Sequence, residues 1–349
     1  MKLNDLEFYL VEIGCAELDR PVRSALVRLT TDSALEGWGE AHLPWEAVQL
    51  PGLRDALLPV LAGRSIFDIE ELLMLQAVPG EALRSALEMA CWDLIGRSAK
   101  EPLCHLCGGG YRKRIPLAVR LPGKTAESVA KVGRELADQG FHTQIVTAVG
   151  RLEQDLQMLA AVREIVGDRV ELRFDAAAAY DLETARDFCT ELESHNLQFL
   201  LDPINTTELH PVASLGRQTS LPLAVWRSIR SPADVLALVR SRAAPFAVVD
   251  IGRVGGVLPA RKCAAVAEAG GVSALLTTGP SLGIATAAML QLAAATPTFS
   301  GCNECAYHQL SDDLLCEPLE IIDGMMAVPQ SPGLGIEVDR TKLEKYQVT

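Results

Sequence analysis

Between about residue 114 and residue 306, short apolar runs alternate with longer stretches in which apolar residues recur every three or four positions. The runs are IPLAVRL, HTQIVTA, VELRFDA, LQFLLDP, LPLAVWRS, PFAVVDIGR, VSALLTT and TFSGCNE. A strand buried on both faces reads as a continuous apolar run and an amphipathic stretch as a crossover helix, so the pattern predicts repeated βα units on a parallel sheet. Eight such strands close a barrel. The intervening segments, such as ESVAKVGRELADQG and LETARDFCTELESHN, end on Gly or Asn, which stop helices. Upstream, residues 6 to 12 and 24 to 30 predict two strands of a meander, followed by helices at about 52 to 75 and 79 to 99. A hairpin is expected around Asp323-Gly324 in the tail.

The fold class is therefore α/β, a barrel over residues 114–316. The flanks, 1–113 and 317–349, are expected to join in one discontinuous α+β domain. The length of 349 residues leaves room for that domain beside a barrel of roughly 250. The start, MKLNDLEFYLVEIG, lacks a signal peptide's basic head and apolar run, and no segment is apolar long enough for a membrane span, so a cytoplasmic protein without a membrane partner is expected. A net charge of −13 argues against nucleic acid as partner. Nine scattered cysteines suit reduced, mostly buried thiols; the C-x-x-C pairs Cys104/Cys107 and Cys302/Cys305 lack the histidines of a metal site. Gly108-Gly109-Gly110 reads as an interdomain turn rather than a phosphate cradle, because it does not open a helix after a barrel strand.

Active barrels carry acids, bases and metal ligands at the C-terminal ends of their strands. Here those ends hold mostly alanine, leucine, valine and tryptophan, and no lysine occurs from Val132 to Arg261. The segments Gly37-Trp38-Gly39-Glu40-Ala41, SALEMACWDLIGRSAKEPLCHLCGGG, FDA at 174 to 176, IGRVGG at 251 to 256 and SPGLGIEVDRTKLEKY occur in an order that resembles the enolase superfamily. Within it the resemblance is to the muconate-lactonizing group, which includes o-succinylbenzoate synthase and N-succinylamino acid racemase.

The resemblance implies a (β/α)7β-type TIM-like barrel under a capping domain. It also implies a divalent cation on three carboxylates at the ends of strands three to five, with proton-moving lysines on strands two and six. The metal neutralises the second negative charge that develops when a carboxylate loses its α-proton. Carried over position by position, the strand-two lysines fall within Ile145 to Ala148, and the strand-three ligand is Asp175, with Ala177 where the family has asparagine. The strand-four glutamate falls on Leu201 and the strand-five aspartate on Trp226, with Arg227 beside it. The strand-six lysine falls on Asp250, and the strand-seven glutamate on Ser281 or Pro280. The expectation is that the family Mg²⁺ site is lost, with no cofactor and Asp175 as its vestige. The opening loop, Gly14 to Arg23, is shorter than the family's lid.

Asp175 and Asp250 are the catalytic candidates. Trp226, Arg227, Asp202, Arg253 and His42 are the candidate substrate-binding residues. Trp226 is expected to fill the former metal volume, with Arg227 paired to Asp250 or Asp175; Asp202 sits one residue past the strand-four position, so alternation turns it away from the ligand ring. Arg253 to Gly256 is read as shaping the strand-six loop, Trp45 as a cap residue near the mouth, and His308 as either mouth-facing or superficial. Two functions stay open: a non-catalytic binding or scaffold protein, or an isomerase or lyase acting without metal on a small carboxylate through Asp175, Asp250 or a cysteine. A small-molecule ligand at the mouth and self-association stay open as partners.

Overall fold

The computed structural model describes all residues except Glu17, Asp19, Leu43, Pro44 and Thr349. The N-terminal sheet is an antiparallel meander of β1 (Leu3–Ile13), β2 (Val22–Thr31) and β3 (Glu36–Ala41). The third strand is the GWGEA segment. Its glycines allow the helix Glu81–Ala99 to lie directly on the sheet: a Cβ at Gly39 would stand 1.9 Å from the Ala86 carbonyl oxygen, and one at Gly37 2.4 Å from that of Ala90. The helix expected over 52 to 75 is two, Leu50–Leu61 and Ile69–Leu73, because Gly63 takes a φ of +82° between them.

All eight predicted runs are barrel strands: β4 (Arg114–Arg120), β5 (Thr143–Thr147), β6 (Glu171–Asp175), β7 (Leu197–Leu201), β8 (Leu223–Val225), β9 (Phe246–Asp250), β10 (Ser273–Thr277) and β11 (Asn303–Glu304). Neighbours pair in parallel in chain order, and β11 returns to β4. Side chains alternate along each strand, so one set packs outward on the helices while Phe199, Leu201, Ala224, Val248 and Leu275 form a separate column in the barrel, with Trp226 and Phe246 against it. The tail hairpin exists as β12 (Ile321–Ile322) and β13 (Met325–Ala327), with positive φ at both Asp323 and Gly324, as a two-residue turn of the mirror-image kind requires. It pairs with β4, while the final helix, Arg340–Tyr346, packs on β1. Among the described residues no helix is long and apolar enough to cross a membrane.

Cap and barrel are joined through buried acids. Glu40 accepts from the amides of Leu282 and Ala285, at the start of helix Gly283–Ala295, and from the Ser24 hydroxyl. Glu88 accepts from the amides of Val257 and Leu258, at the start of helix Val257–Gly270, and from the Trp92 indole. Exposed amides at a helix start favour an anion, which explains how these carboxylates are tolerated in the interior. Gly256 is needed there: its φ is +132°, and a Cβ would meet Glu88 at 2.5 Å. The Arg253 to Gly256 turn thus shapes the strand-six loop around an acid of the cap. Asp93 accepts from the amides of Trp38 and Leu334 and from Arg97, tying the meander to the SPGLG segment.

Candidate functional site

The C-terminal ends of the barrel strands face the cap, and their polar side chains fall into two groups. The first surrounds Arg120, the last residue of β4. Its guanidinium donates to Asp175 Oδ2 at 2.7 Å, to Thr147 Oγ1 at 2.7 Å and to Glu304 Oε1 at 2.7 and 3.0 Å. The other Asp175 oxygen accepts from the Ala177 amide at 2.8 Å. Ala177 and Ala178 follow with φ of 55° and 56°, left-handed values that cost a β-carbon-bearing residue roughly 1 to 2 kcal/mol each. Arg120, Thr147 and Glu304 were missed by reading the sequence. The available signal was a charged residue closing each of two apolar strands, Arg120 in IPLAVRL and Glu304 in TFSGCNE.

The second group lies on strands four to six. Asp202, at φ 44°, accepts from the amides of Trp226 and Arg227 at 3.0 and 3.1 Å and from the Arg227 guanidinium at 3.4 Å. Arg227 therefore pairs with Asp202, not with Asp250 or Asp175 as expected; its own backbone amide already lies against Asp202, which fixes the nearest anion. Asp250 accepts from the amides of Gly252 and Arg253, capping the short helix Ile251–Val254. Burial raises its pKa to about 6, and those two amides together with the Arg253 charge only partly offset the rise. Burial also raises Asp202 above the usual carboxylate range.

Trp226 is half-buried on the interior column. The guanidiniums of Arg227 and Arg253 lie 5.5 and 5.1 Å from its ring centroid, and Arg253 also donates to the Arg227 carbonyl. Its indole N–H approaches Asp250 and slightly lowers that pKa, yet it completes no well-formed hydrogen bond. Beside the indole a cavity of about 470 Å³ opens between cap and barrel, walled by His42, Ser85 and Met89 from above and by Trp226, Asp250 and Arg253 from below. Pro280 and Ser281 lie on its rim. The mouth is thus only partly filled by Trp226.

Of the sequence candidates, Trp226, Asp250, Arg253 and His42 meet at this cavity, Arg227 and Asp202 pair behind it, and Asp175 stands apart with Arg120. Trp45 packs on the cap core and does not line the cavity. His308 stacks on Phe141 at 4.9 Å, where burial lowers its pKa to about 4. None of the nine cysteines is joined in a disulfide, and none lines the cavity. Part of the short opening loop, Glu17 and Asp19, lies outside the described residues. Among the described residues no three histidine, cysteine or carboxylate side chains gather as metal ligands.

Residues 20–108 match the mandelate racemase/muconate lactonizing enzyme N-terminal domain, and residues 127–342 match the enolase C-terminal domain-like family. Muconate cycloisomerase 1 of Rhodococcus opacus is 26% identical over 335 residues, which cover 92% of this chain and 90% of that protein. A crystal structure of an enolase from Streptomyces coelicolor, 29% identical, superposes with a TM-score of 0.89 over 99% of this chain and 96% of that one. The N-succinyl Arg/Lys racemase of Bacillus cereus shares the fold at a TM-score of 0.94 and 21% identity, over 100% of this chain and 99% of that one. With both domain matches in chain order over one cap-and-barrel fold, the chain belongs to the enolase superfamily, in its mandelate racemase and muconate lactonizing enzyme group.

Proposed function

We propose that this chain is a binding member of the superfamily that takes a small ligand at the barrel mouth and does not perform metal-dependent proton abstraction. The observation that carries the reading is the Arg120 guanidinium set between Asp175 and Glu304. It supplies a built-in positive charge to the one carboxylate that matches the family's ligand set. The residues do not fit a hard dication. Mg²⁺ asks for about six oxygens in near-octahedral array. Leu201 and Trp226 offer none, Asp202 is engaged by two amides, and Arg120 competes for Asp175. Strands two to six also contain no lysine to carry the proton.

The test joins two measurements. Calorimetric titration with millimolar Mg²⁺ should give no specific heat, and α-proton exchange of N-acylamino acids in D2O should stay at background. A one-site Mg²⁺ isotherm abolished by Asp175→Ala would overturn the reading.

One observation favours a second reading, proton transfer without metal: Asp250 borders the open cavity and titrates near pH 6, in the range of a working acid or base. Asp175 suits that role less, being neutralised by Arg120, and no cysteine reaches the cavity. Metal-free exchange that disappears in Asp250→Asn would replace the first reading with this one.

A further inference from the structure

The barrel interior below the mouth holds a buried cation without a counter-ion. Arg173, in the middle of β6, is 2% exposed, and its guanidinium lies 5.0 Å from the ring of Phe199 on the interior column. Its Nε donates to Gln198 Oε1 and its Nη2 meets no partner; among the described residues no carboxylate stands within ion-pair distance. A charge held out of water without a counter-charge is costly, so an anion close to Arg173 is favoured. Of the acidic groups around it, the Cys302 thiol has the largest electrostatic hold on its charge, ahead of Glu171 and Glu304. Glu304 is engaged by Arg120, and Glu171 is exposed to solvent. Cys302 sits just before β11, and its sulfur accepts from the Thr143 hydroxyl at 3.2 Å. Thr143 is on β5, and β4 lies between β5 and β11, so the contact crosses the inside of the barrel. Thr143 is also in register with Glu171, two residues before Arg173 on the same face of β6. Thiol, hydroxyl and guanidinium thus share the lower interior.

We propose that Cys302 is a modification site, a thiol that exchanges with small disulfides at the base of the barrel while Arg173 and Thr143 hold the negative charge of its attacking sulfur. Seven of the nine cysteines are buried, whereas Cys302 is half-buried and can be reached. A hollow of about 410 Å³, lined by Thr143, Glu171, Gln198 and Arg169, opens at the base against the residues that touch Cys302 and Arg173. In the exchange the Cys302 sulfur gives up its proton to water and attacks one sulfur of the disulfide. The new S–S bond forms as the old one breaks, and the departing thiolate carries off the electron pair. A neighbouring cation and a hydroxyl donor are the surroundings that favour this attack. Cys316, exposed but adjacent to Glu317, provides the comparison within the same chain.

The aromatic disulfide DTNB, which releases a coloured thiolate on exchange, reads the step on the full chain, and mass spectrometry of the product identifies the cysteine. In the parent protein Cys302 should react at least about tenfold faster than Cys316 despite its lower exposure, the worth of one charge-assisted contact. Cys302→Ser should abolish the fast phase, and Cys316→Ser should leave it. Arg173→Met should slow that phase by about tenfold and Thr143→Val by a few fold. Arg173→Lys keeps the charge and should recover most of the rate, which a purely structural role for Arg173 would not produce. If Arg173→Met fails to fold, as thermal melting would reveal, Thr143→Val and the order of labelling in the parent still decide. Cys316 reacting first, a Cys302 rate indifferent to folded Arg173→Met or Thr143→Val, or no recovery in folded Arg173→Lys overturns the proposal.

Discussion

The cap, with its seam to the barrel, and the mouth of the barrel each supply three buried carboxylates to compare, and the two sets do different work. Glu40 and Glu88 at the seam and Asp93 inside the cap accept from amides 55 to 245 positions away in the chain. They fasten separate elements together. At the mouth Asp175, Asp202 and Asp250 accept from amides only 2 to 25 positions away, shaping the loops that follow their own or a neighbouring strand. A buried acid with a raised pKa is thus no mark of catalysis by itself: Glu88, raised to about 7 by burial, is a fastener, while Asp250, raised to about 6, borders a cavity. What separates these two is that the cavity adjoins Asp250 and not Glu88; Glu40 also borders it, but both its oxygens are held by seam donors.

The comparison is broken most directly at the seam. Replacing Glu40 by Ala leaves the Leu282 and Ala285 amides and the Ser24 hydroxyl without their acceptor, and stability should fall by about 3 to 5 kcal/mol in chemical denaturation. A loss below about 1 kcal/mol would show that the seam acids are not fasteners.

At the mouth, pH should reveal Asp250. Its folded pKa of about 6 lies above the ordinary 3.8, so the folded chain holds that proton where the unfolded chain has released it. The cost of ionising it is absent below about pH 4, grows as pH rises and is fully present above about pH 6, where it reaches about 3 kcal/mol. Asp250→Asn keeps an oxygen for the Gly252 and Arg253 amides and should gain stability over the parent across that window. Denaturation midpoints of the two proteins at several pH values give the difference; parallel profiles would count against a buried, titrating Asp250.

A smaller loss, about 2 to 3 kcal/mol, is expected for Arg120→Met, since it leaves Asp175 and Glu304 facing one another without a counter-charge. Adding Asp175→Asn should recover part of it. Failure to recover would mean that Arg120 acts by packing instead of charge. The smallest effect should be a gain: Ala177→Gly relieves a left-handed alanine and should stabilise by about 1 kcal/mol. No gain, by thermal or chemical denaturation, would mean that the Asp175 loop holds that conformation without strain.

The alternation of apolar runs and amphipathic stretches was enough to determine the barrel, strand by strand, because a buried parallel strand and a crossover helix each impose their own period on the chain. The same pattern led to an expectation of strand ends poor in acids and bases, yet Arg120, Asp175, Asp250 and Glu304 close four of the eight strands. It did not reveal that Arg227 would face Asp202, or that Arg120 and Glu304 would meet around Asp175, because β4 and β11 become neighbours only when the barrel closes. Nor could it single out Ser85: one serine in an apolar helix looks like packing until the cap is set over the mouth and its hydroxyl is left without a partner. Local periodicity fixes which elements form, since it depends on neighbours in sequence. The pairing of charges and the shape of a cavity depend on neighbours in space, and only the tertiary structure decided those.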